Sequence, residues 1–523
     1  MSGFRQAMTP VHTWAGLILG WILYFVFVTG TLGYFDTEID SWTRPEVPRD
    51  FTPADRAVEI AHQRLAAVAP GADRWRIGLP GTREYPNLTV SWRYRDPPPN
   101  VAAEGQERLN PLTGTPFAVR DTHGGQSLYR MHYVLHYVPS TVGIYLVGIA
   151  TMCLLIALVT GVVIHRKIFR EFFTFRPGRG ARSWLDFHNV LSVLALPFHL
   201  MITYSGLLFF AFLYMPAIML ATYGPEGQDQ FLEDMLLGSG IERSGEFATL
   251  APLVDVLREA SERWGGEQIR TISVQYPGDA AAEVTVNRLH DSILVLEDAL
   301  VFEGTTGNFV KEHIVDPRPT MALSTALLGL HEGLFADITL RWLYFLCGVM
   351  GSAMIATGLI LWSVKRSRRL TQRATLHRGH RLVEVLNIGT VVGLPTGIAA
   401  FFCANRLLPL DLAHRAEWET HVLFITWGVT LMLAALRPTA RAWTESLSLC
   451  AIAFAMVPVL NALTTERHLA RSIAEGDWVF AGVDLCMLAT GGSFALAAWF
   501  SARTVSREAR SPTAAAVNPI SGG

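Results

Sequence analysis

The sequence predicts a predominantly α-helical polytopic membrane protein of about eight transmembrane helices, with two external α+β domains and an internal parallel repeat. Three observations carry that expectation. Half of the 523 residues are hydrophobic and 17% are charged, with a mean hydropathy of +0.29, an unusual balance for a soluble chain of this length. Apolar stretches recur that reach the roughly 20 residues needed to cross about 30 Å of hydrocarbon. The same order of motifs also occurs twice along the chain.

The apolar stretches lie near residues 13–35, 141–164, 189–214, 342–364, 384–404, 420–436, 446–463 and 479–500. The first ends in Thr29-Gly30-Thr31 without a small-residue cleavage site, so it reads as a retained anchor rather than a signal peptide. One connecting loop carries Arg166, Lys167, Arg170, Arg176, Arg179 and Arg182, and another carries Lys365, Arg366, Arg368, Arg369, Arg373, Arg378 and Arg381. The positive-inside rule places both loops in the cytoplasm of a bacterial inner membrane. Alternating crossings then bring Arg5, Arg437, Arg441, Arg503, Arg507 and Arg510, and both termini, to the same side. The expected organisation is a first crossing at 8–40, an external domain at 44–130, two crossings at 131–222 and a second external domain at 223–320. A fourth crossing at 321–366, a four-helix membrane region at 367–502 and a cytoplasmic tail at 503–523 complete it. Cys153, Cys347, Cys403, Cys450 and Cys486 stand singly in apolar segments with no C-x-x-C, which argues against disulfides and c-type haem attachment.

Each external segment opens with a helical pattern, Pro53 to Ala69 in one and Leu250 to Trp264 in the other. Alternating runs follow, Trp75 to Leu79 and Leu88 to Tyr94 in the first, then Ile269 to Tyr276, Ala282 to Asn287 and Ile293 to Phe302 in the second. A glycine-bearing turn ends each, Asn110-Pro111-Leu112-Thr113-Gly114 and Glu303-Gly304-Thr305-Thr306-Gly307.

The repeat continues into the membrane segments. His12 precedes Thr29-Gly30 by 17 residues, and His188 precedes Ser205-Gly206 by the same 17, in helices of equal direction. On the return crossings His136 stands 24 residues before Thr160-Gly161, and His331 stands 26 before Thr357-Gly358. The Thr-Gly and Ser-Gly pairs read as points of close helix packing. Two such units in parallel would bring equivalent residues face to face across an axis along the membrane normal. The last four crossings, which do not resemble the repeats, read as an accessory bundle.

Histidine at membrane depth is costly and carries a functional expectation. Neutral imidazole ligates haem iron from a helix, and facing helices can supply both axial positions. His12 and His188 are thus expected to hold one haem b at the cytoplasmic face, and His136 with His331 a second at the outer face. His132 lies one turn from His136 and is the alternative to it. His199, eleven residues after His188, would lie roughly 16 Å further along an ideal helix with nearly the same facing direction, and either replaces an outer ligand or bridges the gap. His165, beside Arg166 and Lys167, is a candidate for a haem propionate. His62, His123, His290, His313, His377, His380, His414 and His468 read as solvated, with His377 and His380 part of a basic patch. No G-x-G-x-x-G at a strand-helix junction, P-loop or H-E-x-x-H is present, and no nucleic-acid partner is expected.

His12-Thr13-Trp14-Ala15-Gly16 with Thr29-Gly30, Leu109 to Gly114, Met131 to His136 and Asp186-Phe187-His188-Asn189 resemble the PepSY-associated transmembrane family, over roughly residues 8 to 366. Within it the chain is most similar to the FoxB-type siderophore reductases. The resemblance implies two external PepSY domains, two haems, and an enzyme that passes electrons outward to a ferric siderophore of the hydroxamate type, releasing ferrous iron. The donor would be a cytoplasmic reductant or a quinol. The alternatives are a haem- or quinone-linked carrier with another periplasmic acceptor and a non-enzymatic siderophore permease or uptake accessory.

Overall fold

The computed structural model describes residues 2–48, 52–165, 176, 178–224, 227, 241–288, 298–313, 319–371 and 378–509. Arg166, Lys167, Arg170, Arg373, His290, His377 and Arg510, with most of the expected tail, lie outside them.

The chain opens with α1 (Ser2–Ile18), α2 (Gly20–Gly33) and α3 (Asp36–Trp42), then α4 (Ala54–Val68) and strands β1 (Arg74–Gly78), β2 (Thr89–Arg93) and β3 (Glu104–Arg108). Helices α5 (Gly124–Val134), α6 (Ser140–Ile164), α7 (Ala181–Leu194), α8 (Leu196–Phe209), α9 (Ala211–Tyr214) and α10 (Ala217–Tyr223) follow. Next come α11 (Leu253–Arg263), β4 (Ile269–Gln275), β5 (Glu283–Arg288), β6 (Ala299–Glu303), β7 (Phe309–His313) and α12 (Pro319–Glu332). The chain continues through α13 (Ile338–Thr371), α14 (Arg378–Ile388), a π turn (Gly389–Gly393), α15 (Leu394–Leu407), α16 (Arg415–Leu436), α17 (Thr439–Thr464), α18 (Leu469–Ala474) and α19 (Trp478–Ala509).

Among the described residues six helices are long and apolar enough to cross a membrane, or up to eight if each of two bent pairs is one span. Those pairs are the first and third predicted crossings. The first bends by 62° between α1 and α2, the third by 68° between α7 and α8. Each break comes seven residues after a histidine, at Leu19 after His12 and at Ala195 after His188. Pro197, inside the first turn of α8, explains one break and Gly20 favours the other. The expectation that His188 and His199 share one straight helix and one facing direction is therefore corrected.

The residues divide into two compact units. One comprises Met1–Pro45, Arg120–Leu207 and Ile338–Gly523 and holds the candidate spans apart from Leu208 and Phe209 at the end of α8. In it α1 packs on α6, α2 on α5 and α13, and α7 on α13. The other comprises Glu46–Val119 and Leu208–Asp337. Here the expectation of two separate α+β domains is corrected, because both external segments build a single antiparallel sheet of order β3-β2-β1-β4-β5-β6-β7. β1 pairs with β4 in the register Arg74↔Gln275, Trp75↔Val274 and Ile77↔Ile272, so each half supplies the strand that the other lacks at its edge. Two-residue alternation sends Trp75, Ile77, Val90, Ile272, Val274, Val284, Val286, Leu300 and Phe302 into one core with Leu65 of α4 and Leu257 of α11. Burying each large side chain contributes about 1.5–3 kcal/mol. Both halves keep the same turn: Gly114 N–H donates to Asn110 O and Gly307 N–H to Glu303 O, each at 2.8 Å, with φ of +70° and +77° that glycine adopts at little cost.

Candidate functional site

The broken helices set the histidines. His12 leans from α1 onto α6: its Nδ1 lies 2.9 Å from Ala157 O and 3.4 Å from Thr160 Oγ1. His188 leans from α7 onto α13 in the same way, with Nδ1 2.9 Å from Met354 O and 3.3 Å from Thr357 Oγ1. In both, the threonine hydroxyl is itself anchored to the carbonyl four residues back, and the next residue is glycine. A methyl group on Gly161 would stand 3.2 Å from His12 Cε1, and one on Gly358 3.2 Å from His188 Cε1. The Thr-Gly pairs are thus cradles for an imidazole on a neighbouring helix, not only packing points. His12 and His188 also lie within electrostatic range of one another, with His165 and Lys365 close to His188.

His132 repeats the arrangement on α5. Its Nδ1 lies 2.8 Å from Val26 O of α2, and a methyl group on Gly30 would come 2.5 Å from that nitrogen. His136, preferred by the sequence reading, is placed elsewhere. α5 ends at Val134, and Leu135 and Tyr137 then adopt φ of +60° and +61°, conformations that cost a non-glycine residue about 1–3 kcal/mol each. This turns His136 off the His132 face and stacks it on Phe424 at 5.3 Å between centroids.

His199 is fully buried on α8. Its Nε2 lies 3.3 Å from Cys347 O while Nδ1 has no hydrogen-bond partner, and its ring meets Phe27 and Phe198 edge-on. His331 sits near the end of α12, in the unit that holds the sheet, edge-on to Phe209 at 5.2 Å. His165 caps α6 and accepts a 3.1 Å bond from Asn189 Nδ2 on Nε2, which makes it a polar neighbour of His188. His380, read as solvated, is buried against Trp362.

A carbonyl oxygen can only accept, so Nδ1 of His12, His188 and His132 must carry the proton, and the lone pair is left on Nε2. That is the tautomer in which a histidine ligates a metal, its orientation fixed by the bond on the other nitrogen. Among the described residues no group of three His, Cys, Asp or Glu side chains converges as a bare ion would require. A porphyrin brings four nitrogens of its own and asks the protein for only one or two axial ligands, so this donor set fits haem.

A second buried polar site joins α3, α5 and the C-terminal helices. Arg415 and Glu419 form a fully buried ion pair at 2.6 Å, and Arg406 reaches Asn461 Oδ1 at 2.9 Å and Trp42 O at 2.6 Å. Asp484 accepts from Trp42 Nε1 and Asn461 Nδ2, each at 3.0 Å. Removing one partner of such a buried pair costs about 3–5 kcal/mol. The sequence reading missed this site, because Arg415 and Glu419 stand at the start of a predicted crossing and nothing in the local pattern marks them as a buried pair.

An uncharacterised protein of Pseudomonas aeruginosa is 25% identical over 389 residues, covering 70% of this chain and 91% of its own length. The family model described as the PepSY-associated TM region matches residues 9–365, a stretch that holds His12, His132, His188, His199 and His331 and stops before α14. By that match the chain belongs to the PepSY-associated TM region family, as a membrane protein whose last helices, α14 to α19, lie beyond the family's segment.

Proposed function

We propose that this protein is a haem-containing oxidoreductase of the bacterial inner membrane that passes electrons outward to a ferric siderophore and so releases ferrous iron. One observation carries the reading: His12 and His188 are held identically, Nδ1 on a carbonyl and ring edge on a glycine, with the basic nitrogen left for iron.

In this reading His12 and His188 would hold one haem b near the cytoplasmic face and His132 would help to hold a second. Burial and an orphaned Nδ1 name His199 as the partner of His132. Bound haem supplies one-electron storage at iron, at a potential set by ligands and burial. The carbonyls of Ala157, Met354 and Val26 raise the basicity of their histidines and lock the ring planes. His165 and Lys365 lie near His188 as partners for propionates. Ferric iron is held by the hard oxygens of a hydroxamate, and the larger, less charged ferrous ion is held less tightly. In this reading the positive-inside rule would have the termini and both basic loops in the cytoplasm and the sheet-bearing segments outside. Electrons would come from a cytoplasmic reductant or a quinol.

Purified full-length protein tests this. The expected preparation is red, carries two haem b per chain, and after dithionite reduction is reoxidised by an anoxic ferric hydroxamate. A folded, colourless preparation overturns the reading and leaves a siderophore-uptake accessory. A red one that a ferric hydroxamate does not reoxidise leaves the carrier function with another acceptor.

A further inference from the structure

We infer that the C-terminal helices act as a clamp whose buried Glu419 is a positioning residue for His132, an inference that rests on the haem reading above. The observation is that four consecutive residues leading into α5 are each gripped by α15 and α16 or the turn between them. Arg120 Nη1 donates to Asn405 O at 2.7 Å. Asp121 O accepts from Arg415 Nη1 at 2.7 Å and its carboxylate from Ala416 N at 3.3 Å. Thr122 Oγ1 donates to Glu419 Oε2 at 2.5 Å, and His123 Nδ1 lies 3.2 Å from Thr420 Oγ1.

Glu419 is the hub. Its other oxygen accepts from Arg415 Nη1 at 2.6 Å and Asn405 Nδ2 at 2.8 Å, while Asn405 Nδ2 also reaches Thr122 Oγ1 at 3.2 Å. The first amide of α5, Gly124 N–H, donates to that same hydroxyl at 3.1 Å. A buried carboxylate thus sets the hydroxyl that starts the helix. From Gly124, His132 is eight residues on, roughly 12 Å of helix, and nothing between them bends α5.

The opposite side of α5 leaves no slack to absorb an error. A methyl on Gly125 would meet Asp36 O at 2.0 Å, one on Gly33 would meet the Tyr129 ring at 2.8 Å, and one on Gly30 would meet His132 itself at 2.5 Å. Helix α5 is therefore squeezed onto α2 and α3 while its leading end is fixed from outside. The family segment ends at residue 365, so the clamp is built from helices that lie beyond it. His12 and His188, cradled on α6 and α13, make no contact with it among the described hydrogen bonds.

The test uses full-length protein in detergent with Glu419→Ala, Glu419→Gln and, as a control elsewhere in the bundle, Thr439→Val. Haem per chain and the low-spin EPR signals are read, together with hydrogen exchange of the α5 amides. Glu419→Ala should lose at least half of one haem and shift its EPR signal, leave the other haem unchanged, and speed α5 exchange at least tenfold. Glu419→Gln, which keeps an acceptor oxygen, should recover most of that haem, and Thr439→Val should change neither. Unaltered EPR signals and α5 exchange in Glu419→Ala overturn the clamp, as does equal loss of both haems, the mark of a merely structural role. Wild-type protein without haem overturns the functional reading instead, and α5 exchange alone then decides the clamp.

Discussion

The cradles of His12 and His188 and that of His132 use the same parts at different tightness. At the first two, a methyl on the facing glycine would stop 3.2 Å from a ring carbon, a contact that a few tenths of an ångström relieves. At His132 it would come to 2.5 Å from Nδ1, the atom that donates to Val26 O. The first pair is matched, each histidine reproducing the contacts of the other, whereas the third is crowded. A ligand site built by repetition tolerates small errors, and one built against a fixed helix does not.

The comparison breaks most severely at the histidines themselves. His12→Ala and His188→Ala should each remove one haem per chain and leave the other spectroscopically intact, and the double variant should lose no more than either single one. Retention of both haems by either variant in a pyridine haemochrome assay ends the pairing.

Next in size is the contrast between glycines. Gly30→Ala should displace His132 and lower occupancy of its haem by more than half. Gly161→Ala should keep its haem and move only the midpoint potential, as a ring shifted slightly in its cradle would. Equal losses in redox titrations of the two variants would show that clearance does not separate the sites. A smaller effect is expected at the neighbouring histidine: His136→Ala should retain both haems while His132→Ala loses one, and the reverse order would return the assignment to the sequence reading.

Much of this was legible in the sequence where it depends on period, and little where it depends on contact. Histidines in apolar helices at a repeated spacing to small-residue pairs singled out His12 and His188, which the fold holds by matching contacts. The pairs were visible too, but the spacing was measured along one chain segment, while Thr160-Gly161 serves His12 from a different helix. Helix breaks escaped because a 20-residue apolar run reads alike whether straight or bent, although Pro197 marked one of them. Alternation announced β1, β2, β4, β5 and, through Ile293 to Phe302, most of β6 (residues 293–297 lie outside the described residues), but not that β1 and β4 would pair, since each half alone satisfies the same pattern. β3, with the sequence Glu-Gly-Gln-Glu-Arg, carries no apolar alternation because it is an edge strand. The clamp was illegible for a further reason: Arg120 and Asp121 look like loop charge until residues nearly 300 positions away are folded against them.

The weakest effect compares the membrane-bearing unit with the sheet unit, whose stability should carry its own acid dependence. Asp279 accepts from Ser244 Oγ at 2.6 Å, from Ala281 N at 2.8 Å, and from the amides of Ser244 and Gly245 at 3.0 Å. These bonds, the Ser244 hydroxyl first, hold its carboxyl well below the usual carboxylate range. A carboxyl depressed in the folded state binds fewer protons there than in the unfolded chain. Its stabilising contribution is therefore complete above an unfolded value of roughly 4 and is lost as pH falls below that toward the folded value. Asp279→Asn should reduce amide protection in β4 and β5 of the full-length protein at pH 7 and flatten its further decline below pH 4, with haem content unchanged. An equally steep decline in the variant would show that other carboxylates set the acid limit of the sheet. Loss of haem in the same variant would show that the sheet unit supports the histidine sites.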